Sequence, residues 1–287
     1  MPREGKLRVP GGEVWFRIAG DGPGVPLLAL HGGPGAGSAA FTPLESLCGR
    51  PIIFYDQLGA GRSPCESDAS LWHIDRFIAE VAAVRAGLDL AEVHILGHSW
   101  GGFLALEYML SHPAGVRSLI LCSTAAGVPE YEREVARLLS GLPDDLRTAI
   151  GRGQDSEDYG AAVLAFLRRH LCRLDPWPEV LLDTNPAETP AYQVMWGPNE
   201  FTVTGNLKCW DRTDRLGEIA VPTLVTCGRY DEAAPACAET IARGISGARL
   251  HVFERSAHLA FLEEPREFLR VVEEFLTNEK WTMKNDR

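Results

Sequence analysis

The chain has 287 residues, with 28 Lys and Arg against 39 Asp and Glu, a formal net charge of −11 and 45% apolar residues. This composition argues against intrinsic disorder, and the length suits one large domain or two modest ones with an ordinary core. The acid surplus argues against a nucleic-acid binder, because phosphate contacts need clustered Lys and Arg, and the longest basic clusters are only Arg168-Arg169-His170 and the 280–287 tail. No apolar run approaches the roughly 20 residues of a membrane span, and residues 1–12 carry no apolar stretch of a secretory signal. The seven cysteines are scattered, without a CxxC pair, so neither a disulfide framework nor a zinc site is expected. The expectation is a cytoplasmic protein.

In chain order, Glu13 to Ala19 alternates polar and apolar residues and predicts a half-buried strand. Pro26 to Leu30 and Pro51 to Tyr55 are short apolar runs bounded by Gly and Pro, as buried strands are. Leu71 to Leu88 has helical spacing, with Ile74, Phe77, Ile78, Val81 and Val84 on one side. Glu92 to Leu96 and Ser118 to Cys122 are further buried strands, with a helix at Gly101 to Leu110 between them. Such alternation predicts an α/β fold with a mostly parallel sheet covered on both faces. From Gly127 to Arg215 the pattern turns helical, clearest at Pro129 to Leu142 and Glu157 to Leu171, and Asp175 to Pro198 reads as irregular. Alternation resumes with a strand at Pro222 to Cys227, a helix at Ala236 to Ile245, a strand at Arg249 to Phe253 and a helix at Pro265 to Leu276. The expected organisation is a sheet domain of residues 1–126 and 216–287, interrupted by a helical cap of residues 127–215.

Gly97-His98-Ser99-Trp100-Gly101-Gly102 follows a predicted strand and opens a predicted helix, the context of a nucleophile elbow. A serine on so tight a turn needs a strained backbone and small neighbours two residues away, which Gly97 and Gly101 supply. The turn places the Trp100 backbone N–H at a helix N-terminus, where it can stabilise an oxyanion. His31-Gly32-Gly33-Pro34-Gly35 ends a strand and offers a second oxyanion donor. Gly33 is assigned, with Gly32 as its alternative.

Serine needs a base, and eight histidines are available. His94 and His251 lie in strands, and His73, His112 and His170 lie on or near helices. His98 is expected to point away from Ser99. His258 follows the last strand, at the carboxyl edge of the sheet where ligand chemistry gathers. Asp231 ends the strand before it and can orient it. The order Ser99, Asp231, His258 is that of an α/β-hydrolase triad.

Together, HGGPG, Asp56-Gln57-Leu58-Gly59-Ala60-Gly61-Arg62-Ser63 and GHSWGG resemble the proline iminopeptidase family of α/β-hydrolases. The resemblance continues through Gly197-Pro198-Asn199-Glu200-Phe201, Trp210-Asp211-Arg212 and Gly228-Arg229-Tyr230-Asp231-Glu232, spanning about Glu13 to Phe275. Leu58 departs from the pattern, which usually has Arg there. The resemblance implies the α/β-hydrolase fold with a helical cap, and release of an N-terminal residue, often proline, from a peptide or amide with a free amino terminus. It also implies that Glu200 and Glu232 hold the free amino group. Charge-assisted hydrogen bonds to a cation in a partly desolvated pocket are consistent with that role. Gly32 and Trp196 are further candidate substrate contacts. Trp177, Trp196 and Trp210 could line the cap pocket or fill the core beneath it. Asp56 is read as a structural turn residue.

No cofactor or metal is expected, since P-loop, dinucleotide fingerprint and metal cluster are all absent from the sequence. Two rivals remain at this point. One keeps the triad in an esterase, amino-acid amidase or aminoacyl-removing tailoring hydrolase. The other is a non-enzymatic binding protein on the same fold, against which the complete triad argues.

Overall fold

A computed structural model describes residues 3–65, 68–153, 156–183 and 185–277. The 280–287 tail lies outside the described residues. Eight strands form one sheet: β1 (Arg3–Val9), β2 (Gly12–Ala19), β3 (Leu27–Leu30), β4 (Ile52–Tyr55), β5 (Val93–His98), β6 (Val116–Cys122), β7 (Thr223–Gly228) and β8 (Arg249–Phe253). Their spatial order is β1-β2-β4-β3-β5-β6-β7-β8. The first two pairings are antiparallel, and every pairing from β4 onward is parallel.

The apolar runs became interior strands because parallel strands are covered on both faces. All residues of β3, β5 and β7 are buried. Alternate side chains enter two cores: Leu28, Leu30, Ile53 and Ile95 in one, and Leu27, Ala29, Ile52 and Leu96 in the other. Helices α1 (Ile74–Gly87) and α2 (Trp100–Leu110) pack in the first core, and the C-terminal α10 (Pro265–Thr277) in the second. Every residue of α2 is buried, and apart from Glu107 and Tyr108 its side chains are apolar all round rather than along one stripe.

Strand β1 was not legible in the charged sequence Arg3 to Val9. It forms by pairing along its whole length with β2. Its Lys and Arg suit an edge strand, whose open backbone groups would otherwise invite pairing with another chain.

Between β6 and β7 lie α3 (Val128–Ser140), α4 (Asp144–Arg152), α5 (Tyr159–His170), α6 (Glu179–Leu182) and α7 (Pro190–Met195). No named strand occurs among the described residues of this segment. Helix α4 escaped the sequence reading because its apolar stripe is short, with Leu146, Ala149 and Ile150 in nine residues and only Ala149 fully buried. The stretch read as irregular contains α6 and α7. Thr189 caps α7 by accepting from the Tyr192 N–H, and Pro190 opens it. The two ends of the segment are tied together: the Val128 N–H donates to the Trp210 carbonyl at 2.8 Å, and the Arg212 N–H to the Ala126 carbonyl at 2.7 Å. After β7 come α8 (Pro235–Gly244) and, beyond β8, the short α9 (Ala260–Glu263).

Candidate active site

The sheet order reverses at β3, which is followed in the chain by β4 on one side and paired with β5 on the other. Crevices at the carboxyl ends of strands around such a point are the usual ligand sites of open α/β sheets. Leu30 of β3 pairs with Gly97 of β5, so the loop at His31–Gly35 and the turn at Ser99 leave the sheet side by side.

Ser99 sits between β5 and α2 with φ 54° and ψ −123°, a left-handed conformation unusual for a residue with a side chain. Such strain costs on the order of 1–3 kcal/mol and persists only where the surroundings enforce it. Here the Ser99 N–H donates to the Cys122 carbonyl at 3.0 Å, and the Ser99 carbonyl accepts from the Gly102 N–H at 2.8 Å and the Thr124 hydroxyl at 2.9 Å. The flanking glycines are demanded by close approach. A Cβ on Gly97 would lie 2.3 Å from the Gly101 carbonyl oxygen, and one on Gly101 would lie 2.0 Å from that of Leu30.

Trp100 begins α2, so its backbone N–H belongs to the helix end that has no intrahelical acceptor. Gly33 has φ +109° and is joined to Pro34 by a cis bond. His31 explains why Gly33 is a better donor candidate than Gly32. Its Nε2 accepts from the Gln57 N–H at 2.9 Å, so its proton sits on Nδ1, which donates to the Gly32 carbonyl at 2.8 Å. In a trans peptide the carbonyl and the following N–H point oppositely. Holding the Gly32 carbonyl therefore turns the Gly33 N–H the other way. Burial lowers the His31 pKa and keeps the ring neutral, although Asp56 opposes this.

Gln57 joins the loop after β3 to the start of α2. Its side-chain N–H donates to the His31 carbonyl at 3.0 Å, and its Oε1 accepts from the Trp100 indole at 2.8 Å. Sequence reasoning assigned Gln57 no role; the only signal was its place in the family-like segment after β4. In the same segment, Asp56 is structural as read: it accepts from the Ser38 N–H and hydroxyl and from the Arg62 N–H and guanidinium. Leu58 is buried in the first core.

Asp231 and Glu232 follow β7, and His258 follows β8. The His258 Nδ1–H donates to Asp231 Oδ1 at 2.7 Å, and the same oxygen accepts from the Ala233 N–H at 2.9 Å. On the other side of the ring, Glu232 Oε1 lies 3.6 Å from His258 Nε2. Glu232 is 1% exposed, and its Oε2 has no hydrogen-bond partner among the described residues. Glu200 comes from the segment between β6 and β7, where the Tyr131 hydroxyl donates to its backbone carbonyl at 2.9 Å. Asn199 Oδ1 accepts from the Phe201 N–H at 3.1 Å and shapes that turn.

The electrostatics follow from this clustering. Burial opposes a charged His258, but Asp231, Glu232 and Glu200 outweigh it and raise its pKa to about 9. Burial and the neighbouring Glu200 push Glu232 well above the usual carboxylate range, with His258 pulling the other way. Burial also raises Glu200, against the pull of His258 and Tyr192. The site is thus rich in carboxylates and poor in cations. Among the described residues no group of His, Cys, Asp and Glu has the geometry to hold a metal ion.

His98 has a role the sequence did not suggest. Burial and the neighbouring His258 drive its pKa well down, and its Nε2–H donates to the His258 carbonyl at 3.0 Å. Its ring packs edge-on against Phe41 and Phe261. The end of α5 adds a second restraint: the His258 N–H donates to the Leu171 carbonyl and the Glu232 N–H to that of His170, both at 3.1 Å.

Two cavities meet at the serine, and Ser99, His258, Gly33 and Glu200 line both. The smaller, about 310 Å³, also takes in Trp100, Phe103, Thr124, Tyr131 and Trp196. The larger, about 820 Å³, takes in Gly32, Glu232 and Trp177. Trp210 lines neither: it stacks on Phe103 with centroids 4.3 Å apart and donates to Glu107 at 2.7 Å, in the core beneath the helical segment.

Comparison with known proteins agrees with this architecture. A family model described as alpha/beta hydrolase fold matches residues 25–265. A proline iminopeptidase of Heyndrickxia coagulans is 43% identical, covering 97% of this chain and 100% of that protein. The crystal structure of a proline iminopeptidase from Mycobacterium smegmatis is similar with a TM-score of 0.89 and 34% identity, over 96% of this chain and 97% of that one. That of a protein named VinJ is similar with a TM-score of 0.91 and 34% identity, over 97% and 99%. With its eight-stranded, mostly parallel sheet and its full-length likeness to these relatives, this chain belongs to the proline iminopeptidase family of α/β-hydrolases.

Proposed function

We propose that the chain is a serine aminopeptidase that releases an N-terminal residue, proline or another small apolar amino acid, from peptides or amides. The observation that carries this reading is the gathering of Asp231, Glu232 and Glu200 around one imidazole, with Glu232 Oε2 buried and unpartnered. A hydrolase acting on neutral acyl groups has no use for two carboxylates beyond the triad. A substrate ammonium supplies the cation they lack.

In this mechanism the ammonium docks between Glu200 and Glu232. His258 Nε2 takes the Ser99 hydroxyl proton as Oγ bonds to the carbonyl carbon of the first residue. The carbonyl oxygen becomes an oxyanion held by the Gly33 and Trp100 N–H groups, and Asp231 stabilises the imidazolium. Collapse re-forms the carbonyl and breaks the C–N bond, and His258 gives its proton to the leaving amine. Water then attacks the acyl-enzyme with His258 as base, which frees the amino acid and restores the Ser99 hydroxyl.

Gly32 and Trp196 serve as further substrate contacts, one in each cavity. Substrate lies between the sheet domain (residues 1–126 and 216–287) and the helical cap (127–215), a division supported by the tied ends of the inserted segment. We place its action in the cytoplasm, a reading that fits the buried thiols of Cys122, Cys172, Cys227 and Cys237. Among the described residues no helix is long and apolar enough to cross a membrane. The test is a panel of prolyl-, alanyl- and leucyl-arylamides, free and N-acetylated, beside simple acyl esters. Turnover confined to unblocked substrates supports the reading; equal turnover of acetylated substrates or esters favours the esterase alternative.

A further inference from the structure

The proposed function uses the smaller cavity and the end of the larger one beside Ser99, where Glu200 and Glu232 receive the ammonium, and leaves the remainder of the larger cavity unexplained. An N-terminal residue has nothing before its ammonium, so its side chain needs only a small, closed space. The smaller cavity offers that side chain the rigid faces of Phe103, Tyr131 and Trp196. The remainder of the larger cavity, beyond the two glutamates, then faces the group on the other side of the scissile bond.

The lining of the larger cavity has two characters. The end near Ser99 holds Glu200, Glu232 and His258. The remainder is apolar, with Phe41 and Phe261 from the sheet side facing Trp177, Val180, Leu181 and Pro186 from the helical segment. Among the described residues lining it there is no Lys or Arg. Its remaining imidazoles, His31 and His98, are occupied by hydrogen bonds to backbone carbonyls. A carboxylate placed there would be desolvated without a cationic partner and would face two glutamates.

We propose that the apolar remainder of the larger cavity is a leaving-group subsite that selects uncharged, apolar amines, such as alkyl or aryl amines or amidated apolar residues, and rejects a carboxylate close to the scissile bond. The preferred substrates are then aminoacyl amides of apolar amines rather than free dipeptides. This rests on the aminopeptidase reading above, and the experiment separates the two.

The test compares kcat/KM for prolinamide, the ethyl, butyl and hexyl amides of proline, Pro-Leu and Pro-Leu-amide, read as released proline. The expected result is a rise of roughly two- to fourfold per methylene along the alkyl series, with Pro-Leu-amide at least about tenfold above Pro-Leu. Leu181→Arg places a cation on the apolar wall. It should bring Pro-Leu up toward Pro-Leu-amide, a ratio taken within the variant and so independent of any change in amine docking common to both substrates. A flat alkyl series, or Pro-Leu turned over as well as its amide, overturns the subsite while the aminopeptidase reading stands. An unchanged Pro-Leu to Pro-Leu-amide ratio in Leu181→Arg also overturns it. No turnover of any member by the wild-type protein overturns both readings.

Discussion

Glu232 Oε1 lies 3.6 Å from His258 Nε2, the nitrogen that takes the Ser99 proton in the proposed mechanism, while the opposite nitrogen of the ring donates to Asp231 at 2.7 Å. A base with carboxyl groups on both sides, all of which raise its pKa, is held in its protonated form. With its pKa raised to about 9, His258 is charged in the free protein at neutral pH and becomes a competent base only as pH climbs through that value. A docked ammonium offsets the carboxylates and lowers that threshold. A probe without an amine does not. The rate of Ser99 labelling by an uncharged fluorophosphonate should therefore rise with pH to a midpoint near 9. Glu232→Gln removes one of the carboxyl groups that raise the His258 pKa, so the midpoint should fall and labelling at pH 7 should speed up. Identical midpoints in the two proteins would refute the coupling.

The same substitution should act oppositely on amine substrates. Glu200→Gln and Glu232→Gln each remove a charged partner of the substrate ammonium, worth about 1.5–3 kcal/mol, or roughly 10- to 150-fold in kcat/KM for a prolyl arylamide. A simple acyl ester should lose little. Steady-state kinetics on both substrates decide the matter: an equal loss would contradict amine docking. Ser99→Ala should abolish turnover of both.

Gln57 touches no substrate in this mechanism, yet it bonds both His31 and the Trp100 indole. Gln57→Leu should loosen the aim of the two backbone donors. Complete loss of an oxyanion donor costs about 2.7–4 kcal/mol, so a partial misalignment should lower kcat by roughly 10- to 100-fold, with KM nearly unchanged. A parallel rise in KM would instead indicate damage to the substrate pocket.

Trp210 anchors the inserted segment through its stack on Phe103 and its bond to Glu107, which also pairs with Arg212. Trp210→Phe keeps the stack and loses one hydrogen bond, an expected cost of about 0.5–1.5 kcal/mol. Trp210→Ala should cost about 3–5 kcal/mol. Denaturant unfolding measures both, and a near-zero cost for the alanine variant would remove Trp210 from the anchoring role.

The amino-acid sequence by itself determined the sheet interior, the turn at Ser99, the glycine loop after β3 and the chain order of Ser99, Asp231 and His258. These are local properties. Apolar runs bounded by Gly and Pro make buried strands, and a serine between two glycines makes a tight strand-to-helix turn, whatever the rest of the chain does. Strand β1 and helix α4 were illegible for the converse reason: one is stabilised by pairing with β2, and the other fully buries only Ala149. Only the tertiary structure decided that Glu232 would face His258, that His98 would hold the His258 backbone across 160 residues of chain, and that Gln57 would join His31 to Trp100. It also placed Trp196 in a cavity and Trp210 in the core, two residues of one type and similar burial. Such contacts depend on which loops the strand order brings to one edge of the sheet, and no spacing within a short segment records that.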